Sequence, residues 1–129
     1  MNRRHDLAVL FLRKAAEDAA IVFLDAAVPE SIFGFHAQQT AEKLLKAVLT
    51  EQGVEFRRKH RIRELMTLTS EAGLTLPESS AQLDILSPFA VEFRYEDIPT
   101  GEEPPLDRTE IRRMLTDLRT WAEGQVPAG

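Results

Sequence analysis

The stretch 30-ESIFGFHAQQTAEKLLKAVLTEQG-53 reads as one long helix. Phe33, Ala37, Ala41, Leu44, Leu45, Val48 and Leu49 recur at three- and four-residue steps, the period of an apolar helical face. Pro29 marks the break before it and suits the first turn of a helix. Gly53 is a natural stop at the other end. His36, Gln39, Lys43 and Lys46 also share a face, at steps of three, four and three. Glu42 and Lys46 form an i,i+4 pair on its flank. Spacing alone leaves two readings of this polar face open, a solvated stripe and a ligand-binding surface.

The same period extends outward in both directions. Upstream, Leu7, Leu10, Phe11, Ala15, Ala19, Val22, Phe23 and Ala26 mark a first helix, with Asp6 as the expected N-cap. Downstream, Ile62, Leu65, Met66 and Leu68 predict a shorter helix over 62–72, ended by Gly73. Pro77 opens the next predicted helix, Glu78 to Tyr95, which Pro88 should kink or divide because it removes a backbone donor. The acidic, proline-rich 97-DIPTGEEPPL-106 is a loop. Asp107 and Glu110 in 107-DRTE-110 resemble a capping box for a last helix carrying Ile111, Met114, Leu115, Leu118, Trp121 and Ala122. The tail 124-GQVPAG-129 is expected to fray. No strand-period segment of convincing length occurs. Four to five amphipathic helices with short connections pack most economically as an all-α antiparallel bundle, expected to occupy 1–126 as a single domain with 127–129 as a frayed tail.

Composition narrows the function classes. The 129 residues carry 16 Lys+Arg against 21 Asp+Glu, a formal net charge of -5. That balance argues against a dedicated duplex-DNA binder, whose phosphate footprint would dominate the charge. Absence of cysteine removes disulfides, thiolate metal sites and a cysteine nucleophile, and is compatible with a reducing cytosol. No apolar run reaches the roughly 18 residues a membrane helix needs, so no membrane association is expected and a cytoplasmic location is. The N-terminal 1-MNRRHDLAVLFLRKAAEDAA-20 starts like a signal peptide, but Arg13, Lys14, Glu17 and Asp18 interrupt the apolar run, so it reads as the first helix.

Motifs for metal or nucleotide chemistry are missing. His5, His36 and His60 lie in three different segments, without HxxxH, HExxH or ExxH spacing, so no metal is expected. Neither GxGxxG nor GxxxxGK[ST] occurs, nor a GxSxG elbow, and no cofactor is expected. One charge run stands out: 57-RRKHRIR-63, with Arg57, Arg58, Lys59, Arg61 and Arg63 around His60. It is either an exposed basic rim beside a helix start or a phosphate-binding surface, and it lacks the interleaved aromatics of a base-stacking site. Arg94 and Tyr95 end the fourth predicted helix. Arg94 could cap helix carbonyls, pair with Glu96 or Asp97, or present its planar fork to a phosphate.

The combination of 14-KAAEDAA-20, 36-HAQQTAEKLLKAVL-49, 59-KHRIREL-65 and 94-RY-95, in that order, resembles the HEPN domain family, and 38-QQTAEK-43 is the most specific piece. The resemblance covers about Leu7 to Ala122. It implies a bundle of four long helices and a shorter one, usually a homodimer. It further implies a minimal nucleotidyltransferase as partner, sometimes in a toxin–antitoxin pair, and RNA or a nucleotide as ligand. On this resemblance the ligand cleft lies near His36, Gln39, Lys43, Lys46, Arg94 and Tyr95. Active members are implied to be metal-independent RNA endonucleases that use Arg, four to six residues, then His. The arginine stabilises developing phosphorane charge and the histidine moves protons. Here a histidine after Arg94 would have to stand at 99, 100 or 101, which are Pro99, Thr100 and Gly101. No histidine follows His60, and losing a proton carrier lowers rates by about 10²–10⁴. The expectation is therefore a binding or accessory module. A divergent ribonuclease using Arg94, with His36 or His60 as displaced base, is the alternative, and a purely structural helical oligomer the third. Dimerisation is also expected from the consecutive apolar residues Ile21, Val22, Phe23 and Leu24, too wide for a one-sided stripe.

Overall fold

The structure is a computed structural model that describes residues 2–24, 27–57, 61–90 and 105–127. Its helices are α1 (Arg3–Val22), α2 (Glu30–Glu51), α3 (Ile62–Glu71), a 3₁₀ segment (Glu78–Phe89) and α4 (Arg108–Gln125). No strand occurs among the described residues, so the fold is all-α. α2 is the central element. It packs against α1, α3, the 3₁₀ segment and α4, and its most extensive interface is with α1. Burial explains the position. Phe33, Ala37, Ala41, Leu44, Leu45 and Val48 are buried, but so are Gly34, Gln38, Ala47 and Thr50, so apolar or small side chains surround the helix. A helix covered on every side belongs in the middle of a domain. One core cluster joins Ala8, Val22, Phe33, Leu45, Ile62, Leu83 and Ile111, and so draws on every element.

α1 and α2 run antiparallel: His5 near the start of α1 meets Glu51 at the end of α2, with Nδ1 2.8 Å from the carboxylate. Their connection is fastened by α4. Arg112 Nε donates to the Val22 carbonyl at 2.8 Å, and Arg108 Nη2 donates to the Val28 carbonyl at 2.7 Å. α1 has no basic residue in its own last turn, so Arg112 supplies the cation that its C-terminal carbonyls favour. Both guanidinium groups also cover the ring of buried Phe33, at 4.7 and 5.4 Å from its centroid.

The two glycine stops act as the spacing predicts. Gly53 and Gly73 have φ of 73° and 85°. Val54 N–H returns to the Leu49 carbonyl and Gly53 N–H to that of Thr50. Leu74 and Gly73 repeat the pattern onto Thr69 and Ser70. Both ends are thus Schellman motifs, which need a left-handed residue that glycine adopts without Cβ strain.

Other local expectations are corrected. The N-cap of α1 is Asn2, whose Oδ1 accepts from Arg4 N at 3.1 Å and His5 N at 3.2 Å; Asp6 lies inside the first turn, where its charge still suits the helix dipole. The segment after Pro77 is 3₁₀ rather than α-helical over Glu78–Phe89, and residues 91–95 of the predicted helix lie outside the described residues. Pro88 lacks a donor, and serines at 79, 80 and 87 have weak helix preference, so local sequence offers little support for an α-helix. Asp107 caps α4 by accepting from Glu110 N at 3.0 Å. The reciprocal half of the expected capping box is replaced: the Glu110 carboxylate turns to Arg113, whose hydrogen bond holds it below the usual carboxylate range.

The C-terminus does not fray where the glycine suggests. α4 continues through Gly124 to Gln125, and Val126 is buried in the core at 4% exposure. Burial of Val126 holds the last turn against the low helix preference of Gly124. A Cβ on Gly124 would meet no atom within 4 Å. Gly124→Ala is therefore expected to stabilise the protein by about 0.5–1 kcal/mol, measured by chemical denaturation. A loss of stability would show that α4 ends before residue 124.

Candidate functional site

The polar face of α2 is organised around two carboxylates, Asp18 of α1 and Glu42 of α2 itself. Asp18 projects from the buried side of α1, with its side chain 11% exposed. Its Oδ1 lies 2.8 Å from His36 Nδ1, and its Oδ2 accepts from Lys43 Nζ at 2.5 Å. A carboxylate requires a donor, so Nδ1 carries a proton toward Asp18. The His36 ring also stands edge-on to Phe35, with centroids 5.1 Å apart.

The second centre is Glu42. Its Oε1 accepts from Lys46 Nζ at 2.8 Å, and its Oε2 accepts from Gln38 Nε2 at 3.1 Å and Gln39 Nε2 at 3.3 Å. Gln39 Nε2 also donates to Gln38 Oε1 at 2.8 Å. Lys46 Nζ lies 5.9 Å from the centroid of Phe56, whose ring meets Phe11 edge-on at 6.3 Å. The network therefore reaches from the middle of α2 to the loop that precedes α3.

The four sequence-singled residues of α2 are brought together, divided between the two carboxylates: His36 and Lys43 at Asp18, Gln39 and Lys46 at Glu42. This is a partly buried network in which each cation has an anionic partner, and not a fully solvated stripe. Each lysine faces a carboxylate, Lys43 at Asp18 and Lys46 at Glu42. The Asp18 contacts tie α1 to α2, since removing either Asp18 or Lys43 leaves a charge in the partly buried seam between them.

Three members, Asp18, Gln38 and Glu42, were not singled out as site residues, and Glu42 was read only as the flanking partner of Lys46. Asp18 falls on the apolar stripe of α1, three residues after Ala15 and four before Val22. Gln38 is 2% exposed and shares a face with Ala41 and Leu45. A polar side chain on a core-facing stripe needs a buried partner, and that was the available signal.

The basic run is only partly described. Arg58, Lys59 and His60 lie outside the described residues, as do Arg94 and Tyr95. Arg57, Arg61 and Arg63 are exposed. Arg63 pairs with Asp84 at 3.1 Å. Arg57 and Arg63 border a depression of about 730 Å³ that is also lined by Glu55, Glu64, Glu71, Phe56 and Leu68. Its described rim therefore holds three carboxylates against two guanidinium groups, so it is not uniformly basic.

Among the described residues, no group of three His, Asp or Glu side chains is placed to hold a metal ion, and no helix is long and apolar enough to cross a membrane. The apolar run at the end of α1 divides: Val22 enters the core, whereas Phe23 and Leu24 are 47% and 44% exposed. At the other end of the helix Leu7 and Leu10 are exposed as well.

The family model described as HEPN domain matches residues 8–120. No curated protein and no solved structure matches the chain.

Proposed function

The chain belongs to the HEPN domain family, and from that premise we propose that it works as a binding and accessory module, a homodimer that pairs with a minimal nucleotidyltransferase. The observation that carries this is the internal pairing of the α2 face. Lys43 and His36 are engaged by Asp18, and Lys46 by Glu42. A polyanion would have to displace a carboxylate already within hydrogen-bond distance of each lysine, so the face is poorly suited to clamp RNA. The missing histidine after Arg94 supports the same conclusion, because the family's Arg–His pair cannot be assembled from that linear motif. Exposed Phe23 and Leu24 supply the apolar surface that a second copy would cover.

The test is direct. Purified chain is mixed with a minimal nucleotidyltransferase from the same genome and passed over a sizing column with light scattering. A stable complex containing two copies of the chain is expected. Separate elution of the two proteins at micromolar concentration would overturn the accessory role.

A second possibility is a divergent endoribonuclease in a toxin-type pair, with RNA or a nucleotide as ligand near His36, Gln39, Lys43, Lys46, Arg94 and Tyr95. One observation favours it: Asp18 orients the His36 ring through Nδ1 at 2.8 Å, as a positioned proton-transfer group requires. End-labelled RNA incubated with the protein in EDTA distinguishes the two. No cleavage is expected. Cleavage abolished by both Arg94→Ala and His36→Ala, with both variants folded, would replace the accessory role by an enzymatic one.

A further inference from the structure

One stripe of α1 takes no part in the core. Leu7, Leu10, Lys14, Glu17, Ile21 and Leu24 follow one another at steps of three, four, three, four and three. That is the spacing of a coiled-coil contact, the a and d positions of consecutive heptads. Leu7, Leu10 and Leu24 are 47%, 40% and 44% exposed, Lys14 and Glu17 are exposed, and Ile21 is half-buried. The buried residues Ala8, Ala15, Ala19 and Val22 lie on the other side of the helix. Leu24 stands just past the helix end, and its N–H returns to the Ile21 carbonyl at 3.3 Å, which carries the stripe one step further. From Leu7 to Leu24 the stripe is about 25 Å long at 1.5 Å per residue. A single exposed leucine needs no explanation, but here four apolar residues share one stripe.

We propose that two copies of the chain pair along this stripe, α1 against α1 in antiparallel order. The pairing rests on the homodimer of the accessory-module reading and names its contact. The stripe reads the same in both directions. A two-fold axis between Lys14 and Glu17 therefore sets Leu7 against Leu24 of the second copy and Leu10 against Ile21 of the second copy. Two apolar clusters result, one at each end. Between them Lys14 of each copy faces Glu17 of the other. Within one copy these two side chains lie 3.3 Å apart and are 53% and 61% exposed, so exchanging partners costs little. Charge selects this arrangement. A parallel pairing would set Lys14 on Lys14 and Glu17 on Glu17, and an antiparallel slip of one heptad would set each charge against a leucine or Ile21. It also selects the occupant. The net charge of -5 repels copies in general, whereas the stripe carries one charge of each sign, and so does its outer flank of Asp6, Arg13 and Ala20. Apolar ends and charged centre are thus complementary to themselves, which an isologous contact requires and a different partner does not.

Sedimentation equilibrium of the full chain tests the contact. Wild type is expected to be a dimer. Leu10→Asp sets a carboxylate against Ile21 of the second copy and should raise the dimer dissociation constant at least about tenfold. Lys14→Glu and Glu17→Lys each place like charges at both central contacts and should weaken self-association by a similar factor. Mixed in equal amounts, the Lys14→Glu and Glu17→Lys chains should regain a dimer containing one of each, because every central contact is then opposite in sign. Ile85→Asp, at an exposed apolar position on the 3₁₀ segment, should keep the wild-type dimer. All of these positions are exposed, and circular dichroism checks that each variant stays folded. Charge variants that dimerise as well as wild type, or a mixture that stays monomeric, overturn the α1 contact. With wild type dimeric, the homodimer itself then stands and pairs elsewhere. A monomeric wild type at micromolar concentration overturns the homodimer and the α1 contact together.

Discussion

Asp18→Ala is expected to destabilise the protein by about 2–3 kcal/mol and to lower its melting temperature by roughly 10 °C. The carboxylate touches two groups, His36 at 2.8 Å and Lys43 at 2.5 Å, and its side chain is 11% exposed. Removing it strands the lysine charge in the seam between α1 and α2. Loss of one partner of a fully buried pair costs about 3–5 kcal/mol. The value here is lower because Lys43 is 28% exposed and can turn its ammonium toward water. Asp18→Ala combined with Lys43→Met should recover about half of the loss, since no unpaired charge then remains. Thermal and urea unfolding of the two variants provide the measurement. A melting temperature within about 2 °C of wild type for Asp18→Ala would mean that the cluster is a hydrated surface feature without a role in holding the helices.

The second large effect is expected at Gly34, in the first turns of α2. A Cβ built there would lie 2.3 Å from Cδ1 and 2.5 Å from Cγ of Phe89. The contact is with a ring, not with the end of a flexible chain, so the ring or the backbone must move. Gly34→Ala gains about 1 kcal/mol of helix preference but forces this overlap, and overpacking typically costs about 1–3 kcal/mol. The net expectation is destabilisation by about 1–2 kcal/mol together with displacement of Phe89. The sign should reverse in a Phe89→Ala background, where the same substitution stabilises by about 0.5–1 kcal/mol. A destabilising Gly34→Ala in both backgrounds would show that the Phe89 contact is not the cause.

The helical periods were legible because they depend on spacing alone. α2, α3 and α4 lie where the apolar steps place them, and Gly53 and Gly73 end helices because few other residues take their backbone conformation. Departures occurred where preferences were weak or competing. Asn2 and Asp6 are both competent caps, and the choice depended on whether the chain before Asp6 could join the first turn. It does, with His5 of that turn tied to Glu51. Gly124 signals a helix end, but burial of Val126 outweighs it. The segment after Pro77 has an apolar pattern, yet its serines and Pro88 give a 3₁₀ path instead of α-helical hydrogen bonding.

By itself the sequence determined an all-α chain, the family to which its ordered motifs belong, the absence of an Arg–His nuclease spacing, and the shared face of His36, Gln39, Lys43 and Lys46. These are properties of residue type and separation along a helix. Only tertiary structure decided which carboxylate each of those side chains meets. Asp18 lies 18 residues before His36 and 25 before Lys43, and no local rule relates them. Antiparallel packing of α1 on α2 brings them together, and the cost of an unpaired charge in that seam keeps them so. It also decided that Phe56 meets Phe11 and that Val126 closes the core, because each depends on where a chain returns after a turn.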